Sequence, residues 1–494
     1  MGVIQKQAIK GTIWSYIGIV IGFLNIGLLS PKIFSTEQVG LTQVLIAISI
    51  ILGQVATLGI NSVTNRLFPF FRNKGKSHNG FLFLALTIGA IGFFVISLIA
   101  YFFKTSIIAT KQDSSPLLVR YYLFVIPLIL STVSFSILDT YNKMLLNAVL
   151  GTFLKEFFLR IINLSLIIFF YLEWINFNLY VISYVFANLI PPVIIAVYLI
   201  RKGEFSLQPN LESLTPQLKR EILYVALFGI LAGLSGVALQ NIDKYMVNQY
   251  IDLKAAGIYS ITFFFGTLIL IPQRAISKIS STIIAESWKN DDRHIIQNIY
   301  SKSSLNQFLI GMLIFIGIIA NLHNIFQILP NDYARGEWVI ILISVANMVA
   351  VLSGVSIQIL STSRYYHFQT WFMILLIFLV VSTNMFFIPR MGITGAALAS
   401  LVSISLYTLF RCIFLYIKFR FQPLRWNHLS ALAIGTLTYL VSLLIPELEN
   451  ILLDIFLRSG TIVIMYAALI IFFRTSKELN QLITNFLQKK NFIG

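Results

Sequence analysis

The sequence has very few charged residues for its size. Of its 494 residues only 11% are Asp, Glu, Lys or Arg, whereas 57% are hydrophobic. Soluble domains carry about 25% charged residues, so this chain lacks the charge needed to cover a surface that faces water. The hydrophobic residues stand in long runs, and about 20 helical residues cross the hydrocarbon core of a bilayer. The scarcity of charge therefore excludes a soluble protein and predicts a polytopic α-helical membrane protein.

The chain also lacks the residue patterns of disulfides, metal centres and covalent catalysis. Its single cysteine, Cys412, excludes an internal disulfide and a cysteine cluster. Five histidines stand in five separate connections, so we predict neither a metal nor another cofactor. We find no nucleophile elbow, no phosphate-binding glycine loop and no HExxH pattern. The sequence predicts a protein that is not an enzyme.

Fourteen apolar segments follow one another along the chain. The first, residues 12–29, lacks the cleavage site of a signal peptide, and we expect it to be a permanent span. The segments begin near residues 12, 38, 81, 117, 153, 178, 221, 253, 304, 338, 367, 393, 428 and 451. The sequence thus predicts fourteen transmembrane helices.

Lysine and arginine are distributed unevenly between the connections. If the N-terminus is cytoplasmic, 25 of the 36 Lys and Arg residues, Arg411 among them, lie in the tails and cytoplasmic connections. Nine, Arg458 among them, lie in the outer connections. This bias predicts that both termini are cytoplasmic. Basic connections beside anionic lipid also account for the net charge of +17, so we expect membrane lipids and no nucleic acid as partners.

The connections of the two halves coincide when the sequence is shifted by 217 residues. The stretch STEQVG at 35–40 falls on DLKAAG at 252–257, with Gly40 over Gly257. A chance alignment of evenly spaced helices is the alternative. Six spans per repeat give two lobes of the same orientation, related by a pseudo-two-fold axis along the membrane normal, which is a transporter architecture. The predicted parts are an N-terminal six-helix lobe, a cytoplasmic linker, a C-terminal six-helix lobe and a C-terminal helix pair with a cytoplasmic tail: 1–201, 202–220, 221–418 and 419–494.

Two helices carry a stripe of small residues that ends in an amide. The positions are Ser15, Gly18, Gly22 and Asn25 on span 1 and Gly229, Gly233, Gly236 and Gln240 on span 7. Small residues permit close helix packing in membranes. An amide that faced lipid would be costly, which favours a polar cavity lined by Ser15, Asn25 and Gln240. Both interpretations stay open.

Three stretches carry a resemblance to a known family. Asp243-Lys244-Tyr245 is followed by Gly257-Ile258-Tyr259-Ser260, and PRMGITGAALAS occupies 389–400. A weaker match is RLFPFF at 66–71. Together with the fourteen spans in a 6+6+2 pattern, they resemble Wzx-type O-antigen and polysaccharide flippases of the multidrug/oligosaccharidyl-lipid/polysaccharide superfamily.

The resemblance implies that an undecaprenyl-diphosphate-linked oligosaccharide is flipped across the bacterial inner membrane for lipopolysaccharide or other surface polysaccharide synthesis. It also implies polymerase and glycosyltransferase partners. Such cargo needs a hydrated cavity for the glycan and cationic donors for the diphosphate. The candidate cations at the cytoplasmic ends of spans are Arg66, Arg274, Lys278 and Arg364, and the alternative for each is a positive-inside anchor.

Three further charged residues have two interpretations each. Asp243 and Lys244 end span 7 on the outer side, as a helix-end anchor or as an outer gate whose ion pair holds the lobes together. Glu156 in span 5 is a candidate for ion coupling, or it is neutralised by Arg160 four residues later.

Two other functions compete with flipping of an O-antigen precursor. One is a multidrug or lipid II exporter of the same fold, although a cation antiporter would be expected to hold a carboxylate inside its lobes. The other is a membrane glycan polymerase or ligase, for which a large outer loop would be expected.

Overall fold

The computed structural model describes residues 3–209, 215–476, 478, 480 and 481, and the elements in these ranges are all helices. Contacts within the chain divide it into two compact units, Met1–Ser260 and Ile261–Gly494. The all-helical class is confirmed. The predicted lobe boundaries at 201, 220 and 418 stay predictions.

The first unit contains eleven α-helices of the described ranges and the start of a twelfth. They are α1 Val3–Gly22, α2 Ser30–Ile33, α3 Thr36–Ala56, α4 Ile60–Phe71, α5 Phe81–Lys111, α6 Pro116–Tyr121, α7 Val125–Met144, α8 Val149–Thr152, α9 Leu159–Tyr171, α10 Phe177–Arg201, α11 Pro216–Tyr250 and α12 Leu253–Thr267. Short 3₁₀ segments at Lys74–Gly80 and Tyr122–Phe124 connect some of them.

The second unit continues from within α12. Its helices are α13 Ile271–Lys289, α14 Arg293–Ala320, α15 Leu322–Ile328, α16 Glu337–Leu352, α17 Ser356–Thr362, α18 Tyr366–Phe419, α19 Asn427–Ser442 and α20 Ile451–Phe472. Two 3₁₀ segments, Leu268–Leu270 and Asn331–Gly336, also lie in the described part of this unit.

Ten helices in the described part of the chain are long and apolar enough to cross a membrane. The number becomes eleven if α11, which is bent by 62° between Leu234 and Leu239, counts as one span. This confirms a multi-pass membrane protein, while the count of fourteen spans stays a prediction.

The long helix α18 contains a sharp internal break. Its 54 residues would extend about 81 Å at 1.5 Å per residue, far more than one bilayer thickness. Gly392, with φ 59° and ψ −137°, leaves the helical conformation, and Pro389 precedes it. Glycine adopts this backbone conformation without the steric cost that a Cβ would bring. Segments on the two sides of Gly392 coincide with the spans predicted to begin near 367 and 393.

Two π-helical turns lie in the described residues of the first unit, at Phe23–Leu29 after α1 and at Phe153–Phe158 before α9. A Cβ on Gly18 would lie 2.3 Å from the carbonyl oxygen of Glu156, so α1 and the second π-helical turn touch backbone to backbone. π-helical turns often occur at functional sites, and the second of these turns contains Glu156, with Arg160 two residues after its end.

The second unit has a buried apolar cluster where α13, α14, α17 and α18 meet. Its members include Ile284, Tyr300, Ile359 and Leu415, all completely buried, with Trp288 packed against them. The Trp288 indole also donates a hydrogen bond to the carbonyl of Ile359 over 3.3 Å. This packing fixes the C-terminal part of α18 against the break between α16 and α17.

Candidate functional site

The predicted gate residue Asp243 is buried and contacts the tyrosine of the following helix. Its carboxylate accepts a hydrogen bond from the Tyr259 hydroxyl over 2.8 Å, and both residues are at most 1% exposed. The two motifs Asp-Lys-Tyr and Gly-Ile-Tyr-Ser, sixteen residues apart at these positions, are therefore brought together. This contact ties α11 to α12.

Lys244 points to another partner. Its Nζ donates to Oε1 of Gln43 on α3 over 2.9 Å, and the lysine is half-buried. Asp243 and Lys244 thus connect α11 to two different helices of the first unit, α12 and α3. We call Gln43, Asp243, Lys244 and Tyr259 the α11–α12 cluster.

The C-terminal end of α11 is capped by a lysine side chain that the sequence analysis did not single out. Lys111, the last residue of α5, donates to the carbonyls of Asn248 and Gln249 over 2.8 and 2.6 Å. The Ser115 hydroxyl donates to the Asn248 side chain over 3.0 Å. A cation at a helix C-terminus is favourable because the last carbonyls have no partner in their own helix.

Helices α3 and α12 cross at two glycines, Gly40 and Gly257. A Cβ on Gly40 would lie 1.9 Å from the Leu253 carbonyl oxygen, and a Cβ on Gly257 would lie 1.9 Å from the Thr36 carbonyl oxygen. Thr36 and Leu253 are themselves 217 residues apart, as Gly40 and Gly257 are. The contact is thus reciprocal under the predicted repeat offset, and only glycine fits on either side.

Both crossing helices begin at side-chain caps with the same offset. The Ser35 hydroxyl accepts from the Gln38 amide over 3.2 Å, and the Gln38 side chain accepts from the Ser35 amide. Asp252 accepts from the Ala255 amide over 2.7 Å. Such caps satisfy N–H groups that the first helical turn leaves unpaired.

The charged residues of span 5 form a second cluster, in which Arg160 is central. Its Nη2 donates to Glu156 over 2.6 Å, its Nη1 donates to the Gly18 carbonyl, and its own carbonyl accepts from Asn25 over 2.8 Å. The predicted pairing of Glu156 with Arg160 is present. Ion coupling by Glu156 stays a prediction.

The small-residue stripe of span 1 packs against this second cluster. Side chains at Gly18 or Gly22 would meet the Glu156 backbone or the Arg160 guanidinium, and the Ser15 hydroxyl donates to the Gly11 carbonyl over 2.9 Å. Asn25 is 1% exposed, whereas Gln240 on α11 is exposed. Close packing accounts for the two glycines, and a cavity role for Ser15, Asn25 and Gln240 stays a prediction.

The candidate phosphate-binding cations lie on exposed positions. Arg66 on α4 belongs to the first unit; Arg274 on α13 and Arg364 after α17 belong to the second. The Arg364 guanidinium stacks over the Tyr365 ring, 4.9 Å from its centroid. The side chain of Lys278 lies outside the described residues. These exposed arginines are free of the desolvation that burial brings, and their convergence on one ligand stays a prediction.

Two arginines assigned to connections are in fact buried inside helices. Arg411, counted with the cytoplasmic connections, lies within α18 and is 2% exposed. Arg458, counted as outer, lies in α20, where it donates to Asp454 over 3.0 and 3.1 Å, while the two are 3% and 0% exposed. The positive-inside count misplaced them because a charge near a span end was assumed to reach water. An isolated arginine inside the apolar run LFRCIF was the signal for Arg411.

Comparison with known proteins identifies solved structures with a similar fold but no matching sequence family. No protein-family model matches the chain, and no curated protein matches it. A solved structure of the lipid II flippase MurJ, in an inward closed conformation, is 15% identical, covers 94% of this chain and 99% of its own, and has a TM-score of 0.71.

Two transporters of the MATE group are also similar. An inward-facing MATE transporter of the MOP superfamily is 11% identical, covers 85% of this chain and 95% of its own, and has a TM-score of 0.56. A MATE transporter from Vibrio cholerae is 15% identical, covers 85% and 98%, and has a TM-score of 0.54. The chain thus has the fold of transporters of the multidrug/oligosaccharidyl-lipid/polysaccharide (MOP) superfamily. Within that fold, its similarity to the lipid II flippase extends over nearly the whole chain.

Proposed function

We propose that this protein is a flippase that moves an undecaprenyl-diphosphate-linked oligosaccharide across the bacterial inner membrane for O-antigen or other surface polysaccharide synthesis. The observation that carries the proposal is the similarity to the MurJ lipid II flippase over 94% of the chain. The quoted motifs of polysaccharide flippases support the choice of cargo.

The chemistry of the cargo assigns roles to the candidate residues. Arg66, Arg274, Lys278 and Arg364 bind the diphosphate from the cytoplasmic side, because a guanidinium fork matches phosphate oxygens. Ser15, Asn25 and Gln240 line the polar path that replaces water around the glycan hydroxyls, while the prenyl chain stays in lipid. The two six-helix lobes alternate access to this path.

The crossing of α3 and α12 and the α11–α12 cluster form the outer gate in this proposal. Two observations support it: the contact of Gly40 with Gly257 is reciprocal under the repeat offset, and Asp243 and Lys244 hold α11 to α12 and α3. Opening to the outside then separates α3 from α12.

The proposed topology has fourteen spans and cytoplasmic termini. Segments that add to the long apolar helices are the second half of α18 after Gly392, the broken helix 149–171 and α19. The variants Lys104→Cys and Lys202→Cys, on opposite predicted sides of the membrane, test the topology in intact cells. A thiol reagent that does not cross the membrane should label only Lys104→Cys.

Gene deletion tests the function. We expect long-chain surface polysaccharide to be lost while lipid-linked repeat units accumulate on the inner leaflet. In the deletion strain, Arg274→Ala should restore much less export than Arg293→Ala at equal protein level, because Arg293 already pairs with Asp291 on the exposed surface. Equal export by both variants would assign Arg274 to membrane anchoring.

Export of lipid II or of drugs is the second candidate function, since the folds of MurJ and MATE transporters are both similar. Proteoliposomes that contain fluorescent lipid II or a fluorescent lipid-linked oligosaccharide distinguish the cargoes. Surface polysaccharide that survives deletion, with raised drug sensitivity, would favour a multidrug exporter.

A further inference from the structure

Arg411 lies inside the second unit, at the break between α16 and α17. Its Nε donates to the Ser356 hydroxyl and its Nη2 to the Ser353 hydroxyl, both over 2.9 Å. The guanidinium stacks on the Tyr407 ring, 4.5 Å from its centroid. Since Arg411 is eight residues before the end of α18, it is about 12 Å from that end at 1.5 Å per residue.

The positive charge of Arg411 has no negative partner in the described part of the chain. No carboxylate there forms an ion pair with it, and its Nη1 has no hydrogen-bond partner although the residue is only 2% exposed. Arginine stays protonated in proteins. A buried charge without a counter-ion is strongly unfavourable, so the charge of Arg411 requires a further compensating group.

The neighbouring backbone compensates this charge only in part. Helix α16 ends at Leu352, and a helix C-terminus carries about half of a negative elementary charge. Two of its last carbonyls already accept hydrogen bonds, from Ser353 to Ala350 over 2.7 Å and from Ser304 to Leu352 over 2.5 Å. Part of the positive charge of the guanidinium therefore stays uncompensated at Nη1.

We propose that the break between α16 and α17 binds one small monovalent anion, of the size of chloride, at Nη1 of Arg411. One N–H group of Nη1 donates to it, and the uncompensated charge of the guanidinium attracts it. Burial favours a small ion, because only 2% of the surface of Arg411 is exposed. A water molecule would satisfy the donors but leave the charge.

This anion joins three helices, because Arg411 belongs to α18 and its serine partners belong to the turn after α16 and to the start of α17. The second unit is then more stable in chloride than in an anion too large to enter. The inference concerns an internal site and is independent of which cargo the protein carries.

Thermal unfolding of the purified full chain in lipid nanodiscs tests the site. Sodium gluconate is exchanged for sodium chloride at constant ionic strength. We expect chloride to raise the Tm of the wild type by about 2–5 °C at saturation. Arg411→Met should abolish the rise. The control is Arg390→Met, an exposed arginine of the same helix that stacks on Phe386 at 3.8 Å, and it should keep the full rise.

A chloride response that persists in Arg411→Met, or is lost in Arg390→Met, would overturn the proposal. If Arg411→Met does not fold, the wild type decides alone. Crystals grown in sodium bromide should show an anomalous peak within hydrogen-bond distance of Arg411 Nη1. Crystals with water or empty space at that position would refute the site.

Discussion

The crossing of α3 and α12 makes a sharp prediction for Gly257→Ala. The new methyl group would lie 1.9 Å from the Thr36 carbonyl oxygen, whereas ordinary contacts of this kind begin at 3.4 Å. The helices must therefore separate by about 1.5 Å or the crossing must open, and overpacking of this kind costs about 1–3 kcal/mol. If the crossing acts as the proposed outer gate, a penalty confined to the closed state shifts the equilibrium towards the open state by about 5- to 150-fold.

Pulsed electron paramagnetic resonance can measure this shift. Spin labels at Lys32→Cys and Lys254→Cys, both exposed and beside the crossing, report the distance between the helix starts after Cys412→Ser removes the native thiol. We expect a longer distance to become the main population in Gly257→Ala. The matched control is Gly236→Ala on α11, where a Cβ meets nothing within 4 Å.

A distance distribution that is the same in Gly257→Ala and Gly236→Ala would refute the gate. The double variant Gly40→Ala/Gly257→Ala adds a check, because both residues occupy one crossing. Once the first methyl group has opened the contact, the second should add little to the shift. Fully additive effects would mean that the two glycines act at separate places.

Two further variants test the buried polar contacts by thermal unfolding. Tyr259→Phe removes a donor from the buried Asp243 and should destabilise the protein by about 1–3 kcal/mol, whereas Tyr224→Phe on the exposed face of α11 should have no effect. Arg458→Met leaves Asp454 buried without its cation and should cost about 3–5 kcal/mol. Adding Asp454→Leu should recover only part of that loss, because Asn324 and His323 also hydrogen-bond to Asp454 and lose their acceptor. A double variant no more stable than Arg458→Met would contradict this reasoning.

The sequence alone predicted those features of the fold that depend on residues near one another in the chain. Hydrophobic run length gave the multi-pass helical class, since it depends only on bilayer thickness. The spacing of Glu156 and Arg160 predicted their pairing, because residues four apart share a helix face. The offset between Gly40 and Gly257 marked two equivalent helix starts, and the fold brings those same starts into contact.

Features that depend on tertiary packing could not be read in this way. Asp243 accepts a hydrogen bond from Tyr259 on the next helix, a contact that the sequence analysis did not predict. The burial of Arg411 depends on the break after α16, and Ser353 is 58 residues away in sequence. A cation in a short apolar run fits a span end or a packed interior equally well until its partners are known.

The caps of α3 and α12 have a consequence for where the two helices cross. Each helix starts at its own hydrogen-bonded cap, and its glycine is the fifth residue after that start. The position of each glycine at the crossing is therefore fixed relative to the start of its own helix. Preceding loops can lengthen or shorten without moving the two backbones out of register.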